Sequence, residues 1–106
     1  RVIQYRNKIA NEALRVIQAQ ALRLLTKHFD ATLIINDDAQ LAVEVDADGV
    51  HLGATDGEVL QARELLGNSK IIGISCYNDL ILARNAVNLG ADYVAFGAFF
   101  CSNVKP

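Results

Sequence analysis

Apolar and polar positions fall along this chain in blocks. Short apolar runs at Val2-Ile3, Leu33-Ile34-Ile35, Val50-His51-Leu52, Ile71-Ile72-Gly73-Ile74 and Tyr93-Val94-Ala95-Phe96 are each followed by polar residues. Runs apolar on successive residues read as parallel strands buried on both faces, and the longer segments between them as helices. The pattern predicts strands at 2–7, 32–36, 49–52, 70–74 and 92–96. Helices are predicted at 10–28, 38–45, 57–66 and 79–89. In the first helix, Ile9, Ala13, Leu14, Ile17, Ala21, Leu24 and Leu25 recur near the helical period, so this stripe is expected to pack inward, with Arg15, Gln18, Gln20 and Lys27 pointing elsewhere. Asn11 or Ala10 opens that helix. Asp38, Asp56 and Asn78 are the expected caps of the other three, and Gly67 and Gly90 the expected stops of the last two.

Strand and helix alternate throughout, with no Pro- or Ser-rich linker, which predicts an α/β protein with about five parallel strands. Right-handed crossovers bring the carboxyl ends of all strands to one side. The expected architecture is a partial (β/α)8 TIM barrel, and a complete one needs about 200 residues or more. Residues 1–106 are therefore expected to form a single incomplete barrel domain, an internal fragment lacking the first strand and the last two. A five-stranded open sheet leaves apolar edges, so self-association of the isolated chain is expected.

Composition narrows the classes. The net charge of −2 argues against a nucleic-acid or anionic-membrane surface. No apolar run approaches the ~20 residues that span a bilayer. Cys76 and Cys101 are too few for a disulfide framework and read as free thiols in a reducing cytoplasm.

The polar clusters carry the chemistry. Gln4, Arg6 and Lys8 alternate with strand spacing and are expected on one face, placed for an anionic ligand; Arg6 could equally pair with an interior carboxylate. Asn36-Asp37-Asp38 follows the most apolar strand, where carboxylates suit a hard cation; the competing reading is an Asx turn with Asp38 as a cap. Asp56 stands where a helix cap belongs and can also serve as an oxygen ligand. His51, inside a strand, reads as a core group with a hydrogen-bond partner, and His28 as a surface group at a helix end. Ser75 either offers its hydroxyl to a phosphate or merely ends its strand. Lys105, in the loop Ser102-Asn103-Val104-Lys105, is placed for phosphate on a shared rim. No zinc-ligand spacing, phosphate-binding Gly-Lys loop, dinucleotide fingerprint or nucleophile elbow is present.

Taken in order, Gln4-Tyr5-Arg6-Asn7-Lys8, Leu33-Ile34-Ile35-Asn36-Asp37-Asp38, Ala47-Asp48-Gly49-Val50-His51-Leu52-Gly53, Ile71-Ile72-Gly73-Ile74-Ser75-Cys76-Tyr77 and Gly90-Ala91-Asp92-Tyr93-Val94-Ala95-Phe96-Gly97 resemble the thiamine phosphate synthase family over essentially the whole chain. The resemblance implies a (β/α)8 barrel transferase of thiamine biosynthesis. It would join an aminopyrimidine methyl diphosphate to a thiazole ethyl phosphate, releasing pyrophosphate. It implies Gln4, Arg6, Lys8, Asn36, Ser75 and Lys105 as contacts to the pyrimidine diphosphate, and Ser102 as a contact to the thiazole phosphate. Asp37 and Asp56 would be ligands of Mg2+. Lys8, Asp37 and Lys105 would carry the catalytic charge stabilisation. Three departures from the family pattern stand out: Cys101 replaces a loop proline, Val104 lacks the hydroxyl that would meet the thiazole phosphate, and Gly53-Ala54-Thr55-Asp56 stands where many members have Gln-Glu before the Asp. Two other readings remain open: a thiazole tautomerase-like paralogue, disfavoured because Ser75-Cys76-Tyr77-Asn78 holds no histidine, and a non-catalytic remnant that binds phosphate or oligomerises.

Overall fold

The computed structural model describes residues 1–7, 11–53 and 56–96, with only the backbone described for residues 56–58. Its elements run β1 (Val2–Tyr5), α1 (Glu12–His28), β2 (Thr32–Asn36), α2 (Ala39–Glu44), β3 (Gly49–Leu52), α3 (Asp56–Leu66), β4 (Ile71–Tyr77), α4 (Leu80–Asn88) and β5 (Tyr93–Phe96). All four strand pairs are parallel, and the sheet order β1-β2-β3-β4-β5 follows the chain. A parallel sheet whose order never reverses sends successive right-handed crossovers to the same side, which is the topology of a barrel segment and not of a doubly wound sheet. The expected α/β fold class is thus observed.

The two faces of the sheet differ accordingly. Leu33, Ile35, Val50, Leu52, Ile72, Ile74 and Cys76 alternate along β2 to β4 and form one core with Ala19, Leu41, Ala42, Val59, Ala62, Ala83 and Ala86 of the helices. Residues of the other parity line the opposite face in rows set by the register. One row is Gln4, Ile34, Gly49 and Ile71; the next is Asn36, His51, Gly73 and Tyr93. Each row holds one glycine between two larger residues. A Cβ at Gly49 would lie 2.3 Å from the carbonyl oxygen of Ile71.

Two carboxylates lock the amino ends of the strands. Asp48, at the entry to β3, accepts the Leu33 N–H at 2.8 Å and both terminal nitrogens of Arg23 at 2.8 and 3.3 Å. Asp92, at the entry to β5, accepts the Ile72 N–H at 2.8 Å and Arg63 Nη2 at 2.9 Å. Arg63 also donates to the carbonyls of Gly67, Lys70 and Gly90, so one guanidinium ties together the loops before β4 and β5. Burial raises both carboxyls, but hydrogen bonds from the backbone and from arginine outweigh it, and both acids lie below their ordinary value.

Helix α1 differs from its expected orientation. The stripe Leu14, Ile17, Leu24 and Leu25 is exposed, 73% in the case of Leu24, and Ala13 and Ala21 are exposed with it. The sheet-facing side instead holds Ala19 and Thr26, both buried, with Gln18 and Arg23 partly buried. The inward polar side chains are tied down: Tyr5 donates to Gln18 Oε1 at 2.7 Å, the Arg23 terminal nitrogens reach Asp48, and Thr26 donates to the Arg23 carbonyl at 3.0 Å. Val16 and Leu22 pack on the core beside Ala19, so a second apolar row together with these bonds faces inward and the longer stripe faces outward.

Boundaries shift elsewhere. β1 ends at Tyr5, two residues before the expected end, with Tyr5 still paired to Ile35 and its side chain in the core. Strand β4 runs on to Tyr77, carrying Ser75 within the sheet and not past its end. Asn78 is not the cap of α4: Asp79 is, accepting from Ile81 N and Leu82 N at 2.8 and 3.2 Å. Asp56 is the first helical residue of α3. Asn11 and Asp38 cap α1 and α2 as expected, and Gly67 and Gly90 adopt positive φ after α3 and α4. His28 is exposed at the end of α1. Cys76 is a buried free thiol, and Cys101 lies outside the described residues. No helix among the described residues is long and apolar enough to cross a membrane.

Candidate functional site

The carboxyl ends of β2 to β5 bring several of the expected residues to one rim. Asn36 closes β2, with Asp37 next to it in a left-handed conformation at φ 65°. That backbone is unfavourable for a non-glycine residue, and Asp is among the few that tolerate it. The Asp37 N–H donates to the His51 carbonyl at 2.8 Å, which extends the β2–β3 pairing past the strand end and fixes the turn. Asn36 Nδ2 approaches Asp37 Oδ2 at 3.4 Å. Tyr77 is likewise left-handed at φ 56°, just after the register shift between Ser75 and Tyr77. Irregularities of this kind are common where strands carry functional groups.

Asp38 follows the plainer reading. Its side chain accepts the Leu41 N–H at 3.0 Å and pairs with Arg15 at 3.1 Å, so it caps α2 and joins that helix to α1. Of the triplet Gln4, Arg6 and Lys8, only the first lies within β1. Gln4 lies on the inner-face row of β1, Arg6 is exposed beyond the strand, and Lys8 lies outside the described residues. Ser102 and Lys105 are also outside them, as is the side chain of Asp56.

At the centre of the inner face stands an arrangement that spacing alone does not reveal. His51 Nδ1 is 2.8 Å from the Tyr93 hydroxyl, and His51 Nε2 is 2.6 Å from the Ser75 hydroxyl. The two rings are tilted by 33° with centroids 5.6 Å apart. Gly73, on the strand between them, makes room: a Cβ there would lie 1.9 Å from Tyr93 Cζ. Burial pushes the His51 imidazolium down, opposed in part by the negative charge of Asp37, so the neutral ring prevails near pH 7. Burial also raises the Tyr93 phenol. His51 is thus a bonded strand histidine, as expected, but it faces the inner side of the sheet, away from the helix-covered core. Tyr93 was not among the expected site residues. Its signal lay in parity: Asn36, His51, Gly73 and Tyr93 share one row, and a glycine in an apolar strand marks a bulky neighbour.

Two oxygen-bearing acids follow adjacent strands, Asp37 after β2 and Asp56 after β3. Carboxylate oxygen is the donor type that a hard divalent cation such as Mg2+ takes, and among the described residues no three His, Cys, Asp or Glu gather into a metal site. A separate cleft of about 500 Å³ opens between α2 and α3, lined by Gln40, Gln61, Glu64 and Leu65 among others. It touches Asp37 but not Asn36, His51, Ser75 or Tyr93, which lie on the face of the sheet opposite the helix-covered core.

A parallel sheet in sequential order with polar groups gathered at its carboxyl rim is part of a (β/α)8-type barrel with a site in the usual place. The family model described as thiamine monophosphate synthase matches residues 1–106, and the chain belongs to that family. It is similar to the thiamine-phosphate synthase of Methylobacillus flagellatus, 59% identical over 104 residues that cover 98% of this chain and 50% of the relative. The thiamine-phosphate synthase of Alcanivorax borkumensis is 48% identical over 106 residues, covering all of this chain and 49% of that one. Among solved structures, thiamine phosphate pyrophosphorylase from Pyrococcus furiosus superposes with a TM-score of 0.84 at 37% identity, over 96% of this chain and 50% of that chain. The chain spans about half the length of these relatives.

Proposed function

We propose that the chain supplies part of the active site of a thiamine phosphate synthase. Such an enzyme couples an aminopyrimidine methyl diphosphate to a thiazole ethyl phosphate, forming thiamine phosphate and pyrophosphate. The observation that carries this reading is that Asn36 and Asp37 at the end of β2 and Ser75 near the end of β4 lie toward the same carboxyl rim on either side of β3, in a member of this family. In this reading the barrel domain is completed by one further strand before residue 1 and two after residue 106.

The reaction asks for charge stabilisation and little else. The C–O bond to the diphosphate breaks, the electron-rich pyrimidine carries the resulting cation, and the thiazole nitrogen attacks it. Asn36 and the Ser75 hydroxyl donate to the departing diphosphate, with Lys8 and Lys105 as counter-charges and Gln4 and Arg6 as further contacts. Fixed donors of this kind stabilise charge as it develops. Asp37 and Asp56 would hold Mg2+, which neutralises diphosphate charge when bound. Ser102 would meet the thiazole phosphate. No side-chain nucleophile is required. Phosphorylated substrates and the free Cys76 suit a cytoplasmic setting.

The test uses a graft in which these 106 residues replace the matching half of the Methylobacillus flagellatus relative. Pyrophosphate release should require Mg2+ and both phosphorylated substrates, and should fall at least a hundredfold in Asp37→Asn. Release that persists without the thiazole phosphate, or that ignores Asp37→Asn, would refute the assignment. Thiazole isomerisation without pyrophosphate release would favour the tautomerase-like alternative.

A further inference from the structure

We propose that His51 is a positioning residue: its ring, braced by Tyr93, holds the Ser75 hydroxyl as a hydrogen-bond donor toward an anionic ligand at the rim. This rests on the reading of Ser75 as a diphosphate contact.

The geometry leaves few arrangements of protons. His51 lies between two hydroxyls, 2.8 Å from Tyr93 at Nδ1 and 2.6 Å from Ser75 at Nε2. A neutral imidazole has one N–H and one lone pair, and each hydroxyl has one hydrogen. In one order, Tyr93 donates to Nδ1, Nε2–H donates to Ser75, and the Ser75 hydrogen points onward. In the other, Ser75 donates to Nε2, Nδ1–H donates to Tyr93, and Ser75 presents only lone pairs outward. A phenol is a far stronger acid than an alkyl alcohol, so Tyr93 is the better donor and Ser75 the better acceptor. Both preferences select the first order. A protonated ring would donate at both nitrogens and leave Ser75 in the same role, so the assignment does not depend on the charge of His51.

Diphosphate oxygens only accept hydrogen bonds. A serine that donated inward would face them with lone pairs, and a freely rotating one would lose orientation on binding. The relay removes both costs before the ligand arrives. Gly73 is part of the device, because a side chain there would displace the Tyr93 ring that braces Nδ1.

The experiment combines 15N NMR of the histidine-labelled graft with kinetics of His51→Phe, Tyr93→Phe, Ser75→Ala and the double variant His51→Phe/Ser75→Ala. The His51 signals, assigned by their loss in His51→Phe, should show Nε2 protonated and Nδ1 bare. Ser75→Ala and His51→Phe should each raise KM for the pyrimidine diphosphate about 10- to 100-fold, with KM for the thiazole phosphate within about twofold. Tyr93→Phe, the mildest change in shape, should raise the same KM about 3- to 10-fold. The double variant should be no worse than Ser75→Ala, because His51 acts only through that hydroxyl. A bare Nε2, effects that multiply in the double variant, or an equal rise in both KM values would overturn the proposal. A folded graft that forms no thiamine phosphate at all is a different outcome: the functional reading then fails, while the NMR still decides the proton order.

Discussion

Replacing Asp48 by alanine should be among the most damaging single changes outside the core. Asp48 accepts the N–H of Leu33, a residue with no exposed surface, and two bonds from Arg23, whose side chain is 14% exposed. Alanine leaves the buried N–H without its acceptor, at a cost of about 1–3 kcal/mol. It also strands the guanidinium; Asp48 itself is one-third exposed, so the lost ion pair adds only about 1 kcal/mol. Together they give about 2–4 kcal/mol, a sizeable fraction of the stability of an ordinary domain. Asp48→Asn keeps an oxygen for Leu33 and loses the charge, so it should cost about 1 kcal/mol. Urea unfolding of the full-length graft measures both, and at a slope of about 2 kcal/mol per molar the alanine variant should unfold 1–2 M earlier. The acid limb offers a second reading. Asp48 and Asp92 lie below their ordinary value of 3.8 when folded, so the stability they contribute is complete above pH 3.8 and is lost as pH falls through the lower folded values. Asp48→Asn should therefore flatten the loss of stability below about pH 4. Equal midpoints for Asp48→Ala and Asp48→Asn would refute the claim that the Leu33 N–H depends on this carboxylate.

Other expectations follow from the same geometry. Gly73→Ala places a methyl 1.9 Å from Tyr93 Cζ and should displace that ring, raising KM for the pyrimidine diphosphate at least severalfold while the far-ultraviolet spectrum is retained; an unchanged KM would contradict the packing. Val104→Thr in the graft should lower KM for the thiazole phosphate by supplying the hydroxyl the family pattern places there, and no change would remove Val104 from that site. The 106-residue chain alone should self-associate in sedimentation, and Ile17→Lys with Leu24→Lys should reduce this by charging the exposed stripe of α1; a monodisperse, cooperatively melting monomer would refute it. Cys76, buried and with its thiol pushed up by burial and by Asp79, should react with iodoacetamide only as the protein unfolds; rapid labelling of native protein would show that β4 opens.

The fold was largely legible because the central strands β2 to β4 announce themselves as mostly apolar runs bounded by polar residues. Thr32–Asn36 and Gly49–Leu52 fall where the sequence places them. The orientation of α1 was not legible, because a periodic stripe shows that two faces differ and not which one is inward. The decision there belongs to long-range bonds, Arg23 to Asp48 and Gln18 to Tyr5, that no local pattern contains. Tyr5 keeps the strand alternation, facing the core beside Ile35, and its hydroxyl reaches α1 from there. At the candidate site, Asp38 could be read as a cap from its position, whereas the link from Tyr93 through His51 to Ser75 joins residues 42 and 24 positions apart. Only the register of β3, β4 and β5 brings them together.

The central claim is that this segment provides a working rim of a thiamine phosphate synthase. The most direct measurement is the mass-spectrometric detection of thiamine phosphate formed by the graft from the two phosphorylated substrates. Mg2+-dependent product is expected at a rate within about tenfold of the parent relative. A graft that folds and melts like the parent yet forms no thiamine phosphate would contradict it.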